Sequence, residues 1–411
     1  MSVSPVAALA ARLAVAEVLR EPDYRRLWVS GLCVNAARWM DLLTVGWLAL
    51  SLTGSPFMVG LAAFARAAPL MVLGPFAGIV ADRVPRGRVL LIAQAGGLAT
   101  ALALAAIFAS GGGYWPLVAL EVVFGATWAL DFPARRTALY ALLGASRVAQ
   151  AVSLETVSMQ IAKMLGPLAA GVCLARFGAP APYLLMAVVY AAGLAASLGL
   201  AARLGGPGGR ASASVVASLR TGLQAAWGSP TVRGVLLVTI AMNTLFFPYQ
   251  HMLPVFARDV LAVGPTALGA LIAADGLGAL LGALLIASRG GQWAHRTVFA
   301  AAVLVAPALL VALSSLRSFV ACVLLLIVMG AAESGFATMQ STLVLLSAPE
   351  RLRGGAMGIL SACIGTQPLG TLAIGLLAAG AGAPVAFTVN ALAALLVIAP
   401  LAVPLLRGRP D

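Results

Sequence analysis

The chain has 411 residues, of which 62% are hydrophobic and only 9% charged, and its mean hydropathy is +1.02. No water-soluble fold hides that much apolar surface behind so little polar exterior, so a soluble enzyme or soluble binding module is excluded and the bilayer is the expected solvent. A formal net charge of +13 would suit nucleic acid, but the placement of the charges argues for membrane topology instead.

In chain order, Met1–Arg20 comes first: an apolar stretch interrupted by Arg12 and Glu17, with no basic n-region. It reads as an interfacial amphipathic helix and not as a cleaved signal. A spanning helix needs roughly 20 apolar residues, and twelve such spans follow: Leu27–Thr53, Phe57–Val80, Val89–Ser110, Tyr114–Leu130, Ala149–Leu174, Pro182–Ala202, Gly234–Phe256, Thr266–Ala287, Val298–Leu316, Phe319–Gln340, Gly354–Ala378 and Pro384–Leu406. We number them spans 1 to 12. The runs are long and rich in Leu, Ala and Gly, without the short alternating segments of a membrane barrel. Cys33, Cys173, Cys322 and Cys363 all fall in apolar segments without metal-ligand spacing, so packing roles are expected and no metal.

With the N-terminus inside, the inner segments hold twenty of the 26 basic residues, among them Arg83, Arg86, Arg88, Arg135 and Arg136. That bias places both termini in the cytoplasm. The halves are also similar to each other at an offset of 209 residues, which lays LTGSPFMVGLAAFARAAP from Leu52 on LAVGPTALGALIAADGLG from Leu261. Five regions are therefore expected: an N-terminal segment over 1–26, a six-helix bundle over 27–202, a polar, Gly-rich central loop over 203–233, a second bundle over 234–406 and a tail over 407–411.

Charges inside spans are costly, about 2.5–3.5 kcal/mol each at a helix centre on insertion scales, and so mark function or buried pairing. They are Arg38 and Asp41 on span 1, Arg66 on span 2, Glu121 on span 4, Glu155 and Lys163 on span 5, Asp275 on span 8 and Glu333 on span 10. Spans 3, 6, 9 and 12 carry none, as peripheral supports would. Asn35, Arg38 and Asp41 share one face at i, i+3 and i+6, and the 209 offset places Gln250 opposite Asp41 and Asp275 opposite Arg66. A desolvated Asp41 suits proton exchange, whereas an Arg38–Asp41 ion pair would be purely structural. Arg66 and Asp275 either face each other across the repeat axis or each take a local partner. Glu121 and Glu333 would add acidity to a cavity suited to cations or protons, and Glu155 is expected to be wetted. Trp39, Trp47, Trp128, Phe246, Phe247 and Tyr249 are candidate stacking surfaces, though membrane aromatics are more often packing. Of the two histidines, His251 is expected to be a satisfied buried residue and His295 to be solvated.

Four stretches carry a family resemblance: GIVADRVPRGR over Gly78–Arg88, RWMDLLTVGWLALSLTGSP from Arg38, FPARRTALYALL from Phe132 and PERLRGGAMGILSACIGTQPLGTLAIG from Pro349. Gly78, Asp82, Arg83, Arg86, Gly87 and Arg88 resemble the loop between the second and third helices of major facilitator superfamily transporters. The other stretches resemble the superfamily's bacterial drug and siderophore efflux branch, typified by enterobactin exporters. That branch often repeats a basic residue where Gly87 stands here. The resemblance implies an all-α integral membrane fold of two six-helix repeats, with helices 1, 4, 7 and 10 lining a central cavity. It further implies a cytoplasmic latch, with Asp82 facing the N-terminus of span 11 near Gly354 and Arg83 or Arg86 pairing with Asp131. The equivalent segment of the second repeat, Ser288–Arg296, has arginines but no carboxylate. Lys163, Gly166, Pro167 and Gly171 partly match the superfamily's antiporter motif, with Ala162 in place of an earlier glycine; on backbone grounds alone a kink and close packing are expected there.

These features predict a secondary active transporter with no cofactor, exporting small amphipathic molecules such as drugs or siderophores in exchange for protons. It would act as a monomer in the inner, plasma membrane, with a small-molecule substrate, protons and lipid as partners. The alternative is a proton-coupled importer of a nutrient or siderophore-related solute, whose fold and acids would look the same. Direct use of ATP is disfavoured, because a Walker A loop needs Lys before Ser or Thr and the sole lysine, Lys163, precedes Met164. A membrane enzyme is disfavoured for want of a metal cluster or nucleophile elbow.

Overall fold

The computed structural model describes residues 18–201, 203–204, 215–288 and 294–407, with backbone alone over 72–83, 145–146, 148–149, 201, 215–219, 225–226, 351 and 403–407. Most of the N-terminal amphipathic segment and central loop, and the side chains of Gly78, Asp82 and Arg83, lie outside the described residues. Every regular element among the described residues is helical. Span 1 runs Pro22–Thr53, span 2 Pro56–Arg83, span 3 Arg86–Ala109, span 4 Tyr114–Gly144, span 5 Gln150–Phe177 and span 6 Pro180–Ala201. A short helix, Val215–Gly228, precedes span 7 at Pro230–Asp259, span 8 at Pro265–Ser288, span 9 at His295–Ser315 and span 10 at Phe319–Ser347. A continuous apolar segment, Arg353–Ala402, covers spans 11 and 12.

By length and apolarity alone, nine segments among the described residues suffice to cross a membrane. Spans 1 and 2 are not among them, span 1 carrying four charges in its first seventeen residues. The Arg353–Ala402 segment counts once, although its backbone breaks at Gly382 (φ 81°). Dividing it there and adding spans 1 and 2 gives twelve.

Local chemistry sets the ends. Proline opens spans 1, 2, 6, 7 and 8, where its missing N–H would be unsatisfied anyway. Ser229 and Ser318 cap spans 7 and 10, their hydroxyls accepting from the Val232 and Ala321 amides. Spans 4 and 5 follow each other with no real loop: one helical run, Tyr114–Phe177, is interrupted only at Gly144, whose φ of 65° and ψ of 178° belong to glycine. The sequence suggests a loop there; in the structure a single residue makes the corner.

Two compact units follow, Met1–Thr44 with Ala65–Ser212, and Val45–Phe64 with Ala213–Asp411. The second unit thus includes the end of span 1 and the start of span 2. A Cβ on Gly46 would meet Pro254 Cγ at 2.7 Å, one on Gly60 would meet the Thr371 carbonyl at 2.9 Å, and Arg258 donates to the Leu50 carbonyl at 3.0 Å.

Within each unit, small residues let backbones touch, the usual means of helix packing in lipid, where apolar burial gives no net drive. Gly125 of span 4 lies against the Arg66 carbonyl of span 2, and Gly330 of span 10 against the Asp275 carbonyl of span 8. Arg66 and Asp275 are the residues matched by the 209 offset, so the two repeats share one contact, and the offset falls to 205 by the fourth span of each. Outward faces are apolar, with Leu396 77% and Val188 67% exposed, as lipid contact requires.

Candidate functional site

Two buried polar clusters gather five of the eight charges that the sequence places inside spans, Asp41, Arg66 and Glu121 in one and Asp275 and Glu333 in the other, and a third forms around Asp131 and Arg135. The first lies in the first unit. Asp41 and Glu121 are 2% and 0% exposed, and both face Arg66. Its Nη1 stands 2.8 Å from Asp41 Oδ2 and its Nε 4.0 Å from Glu121 Oε2, while Nη2 donates to the Arg38 carbonyl at 3.0 Å. The two carboxyl groups lie within hydrogen-bonding reach of each other. Close packing fixes the geometry: Gly125 seats the Arg66 backbone against span 4, and Gly166 of span 5 lies 2.9 Å, measured from an added Cβ, from the Ala36 carbonyl.

This arrangement bears on two pairings that the sequence left open. Asp41 takes its counter-charge from Arg66 and not from Arg38. Arg38, three residues earlier on the same helix, turns its guanidinium over Trp128, 4.0 Å from the ring centroid, with Trp39 at 6.0 Å. A cation over an indole face is attracted by the ring quadrupole and needs no carboxylate. Arg66 has the local partners that were one of its two alternatives. Asn35 donates to the Gly31 carbonyl of its own helix at 3.0 Å, so it shares the face but not the charge cluster. Lys163 Nζ lies 5.1 Å from the Trp39 ring. The backbone stays helical through Gly166, Pro167 and Gly171; what Gly166 supplies is the close approach to span 1.

The second cluster occupies the second unit. Tyr249 Oη donates to Glu333 Oε1 at 2.8 Å and Gln250 Nε2 to Oε2 at 3.3 Å. Asp275, 1% exposed, is near enough to Tyr249 for their charges to interact. A five-residue π-turn, Met242–Phe246, precedes Tyr249, and such turns rotate the following residues relative to an uninterrupted α-helix. Phe246, Phe247, Tyr249, Phe256, Phe336 and Phe387 form a chain of ring contacts with centroids 5.2–6.1 Å apart. Phe246 and Tyr249 are fully buried, so both belong to this core. With the offset of 205, Glu333 is the counterpart of Trp128. One repeat thus presents a carboxylate where the other presents an indole.

The third cluster, in the first unit, was missed by sequence reasoning. Arg135 grips Asp131 with two bonds, Nη2–Oδ1 at 2.7 Å and Nε–Oδ2 at 2.9 Å, and donates to the Leu27 carbonyl at 2.7 Å and Ser30 Oγ at 3.1 Å. Gln94 and Ser197 complete it by donating to Ser30 at 2.9 and 3.0 Å. Among the described residues the partner of Asp131 is Arg135, four residues on and one turn away; the expected pairing with Arg83 falls on a side chain outside the described residues. Arg135 is only 7% exposed, whereas its sequence position suggested a topogenic loop charge. The available signal was the i, i+4 spacing of Asp131 and Arg135. Gln94 and Ser197 also show that spans 3 and 6, free of charge in mid-span, still contribute buried polar groups. Arg86 and Gly87 sit at the start of span 3, half-buried and buried, with Arg88 exposed.

Two repeated helical halves with charged clusters sealed inside apolar spans define a membrane transporter of the major facilitator type. The chain belongs to the transmembrane secretion effector family, whose profile matches residues 14–408. It is 26% identical over 380 residues to the multidrug efflux pump Tap of Mycolicibacterium fortuitum, covering 89% of this chain and 92% of that protein. It is 27% identical over 158 residues to the staphyloferrin A transporter of Staphylococcus aureus, which covers 37% of this chain and 39% of that one. Its fold is similar to that of the nucleoside transporter NupG, with TM-score 0.71, 14% identity and coverage of 94% and 100%. It is also similar to that of a bacterial homologue of the lysosomal transporter Spinster, with TM-score 0.74, 13% identity and coverage of 95% and 98%.

Proposed function

We propose that this protein is a proton-coupled exporter of small amphipathic molecules, drugs or siderophores among them. It works by alternating access as a monomer in a bacterial inner membrane, with both termini cytoplasmic. The observation that carries this reading is the Asp41–Arg66–Glu121 cluster: two buried carboxyl groups share one guanidinium. Arg66 can neutralise one carboxylate, and a second negative charge at that depth is costly. The pair is the natural seat of one exchangeable proton, held jointly by both residues.

Glu333, with Tyr249 and Gln250 donating to it, supplies an acid in the second repeat for a cationic or hydrogen-bonding substrate. Export is favoured over import by the likeness to the efflux pump Tap, which extends over 89% of the chain.

The test is accumulation of a panel of dyes, antibiotics and siderophores in cells expressing the protein, with and without an uncoupler. Lower accumulation that the uncoupler abolishes is expected. Higher accumulation would turn the reading toward import, and indifference to the uncoupler would remove the proton.

A further inference from the structure

The start of span 1 holds a cavity of about 440 Å³ whose lining includes no member of the three polar clusters. Ligand pockets run to about 300–1,000 Å³. Leu19, Arg20, Arg25, Trp28 and Val29 line it. Arg25, Trp28 and Val29 stand at i, i+3 and i+4, on one helical face. Leu19 and Arg20 lie nine positions before Trp28 and Val29, which on an uninterrupted helix is the opposite side. The bend at Glu21, ahead of Pro22, brings them round to the same cavity.

Two chemistries meet in this lining. Arg20 and Arg25 are exposed, and neither makes a side-chain hydrogen bond or ion pair among the described residues. The neighbouring acids do not serve them. Asp23 is taken by Arg26 at 3.1 Å and by Arg203 at 3.1 Å, and Glu21, four residues before Arg25, makes no ion pair with it. The other walls are apolar: Leu19 and Trp28 pack against the first unit's core, and Val29 is 38% exposed. The Trp28 indole N–H is buried without an acceptor among the described residues, a costly state that a ligand oxygen within its reach would relieve.

We propose that an anionic phospholipid occupies this cavity, its phosphate held by Arg20 and Arg25 and an acyl chain lying along Leu19 and Val29. A guanidinium matches phosphate with a planar fork of donors, and tryptophan is at home at headgroup level. The chain's own first seventeen residues fit less well, because they offer one carboxylate, Glu17, against Arg12, and so leave two more arginines unneutralised. With both termini cytoplasmic, as proposed above, this end of span 1 meets the leaflet that holds the anionic lipids. The cavity itself depends on neither the proton nor the direction of transport.

The purified protein is titrated in neutral detergent with a fluorescent phosphatidylglycerol, and with a phosphatidylcholine carrying the same chains and label. The wild type should bind the anionic lipid more tightly, by about tenfold or more. Arg20→Gln and Arg25→Gln should each cost about fivefold, equivalent to about 1 kcal/mol, the usual worth of one arginine at an anionic membrane surface. Arg220→Gln and Arg233→Gln remove the same charge from exposed positions of the second unit and should leave the preference unchanged. Unlabelled phosphatidylglycerol should displace the label, and inorganic phosphate at the same concentration should not. Equal binding of the two lipids, the result if the chain's own first residues fill the cavity, overturns the site. A loss no greater in Arg20→Gln and Arg25→Gln than in the two controls also overturns it, since any basic protein would then do as well. Displacement by inorganic phosphate overturns it too, because an ion needs no acyl chain. None of these measurements uses a transported substrate or a pH gradient, so their failure leaves the proposed export standing.

Discussion

Arg66 is the residue on which the first cluster depends. It faces Asp41 and Glu121 at once, and removing one partner of a buried ion pair typically costs about 3–5 kcal/mol because the other charge is left uncompensated. Arg66→Met should therefore lower the melting temperature of the purified protein. The loss should grow as pH rises, since protonated carboxyl groups tolerate burial and ionised ones do not. A loss equal at acid and alkaline pH would show that Arg66 contributes packing only. The sequence made the cluster's members visible, because a charge in an apolar run is too costly to be incidental. It did not show who pairs with whom. Spacing puts Arg38 and Asp41 on one helical face, but the flexible Arg38 side chain reaches Trp128 on span 4, and only the packing of spans 1, 2 and 4 reveals that. Arg135 was hidden for the opposite reason: near a span end, a buried arginine and a topogenic one look alike.

At the scale of the element, the repeat is a matter of helix contact as much as of sequence. Gly125 and Gly330 each seat a span against a backbone carbonyl, that of Arg66 or Asp275, and a carbonyl cannot rotate away as a side chain can. Gly125→Ala and Gly330→Ala should each cost roughly 1–3 kcal/mol or more, as overpacking does. Gly358→Ala is the control, since a Cβ there meets nothing within 4 Å. It should be neutral or should stabilise by up to about 1 kcal/mol through helix propensity. Equal effects at all three sites, read from thermal unfolding, would dissolve the contact argument. The long spans and the central break were legible from apolar run length and composition. The corner at Gly144 was not, because the polar residues around it read as a loop, although one left-handed glycine makes the turn. The π-turn before Tyr249 left no sequence signal beyond the aromatic cluster itself.

For the whole molecule, the apolar outer faces and the family match make it a membrane transporter, and its direction and coupling are the central claim. Two outcomes distinguish antiport from symport in one vesicle. The purified protein is placed in liposomes with an acidic lumen, and entry of the compounds that the cell panel selects is compared with entry into liposomes lacking protein. Protons leave such vesicles down their gradient. An antiporter must then drive its substrate inward, so the proposed function predicts accumulation beyond the protein-free control, lost in Asp41→Asn. Accumulation that instead requires an alkaline lumen, with substrate and proton moving together, would contradict it.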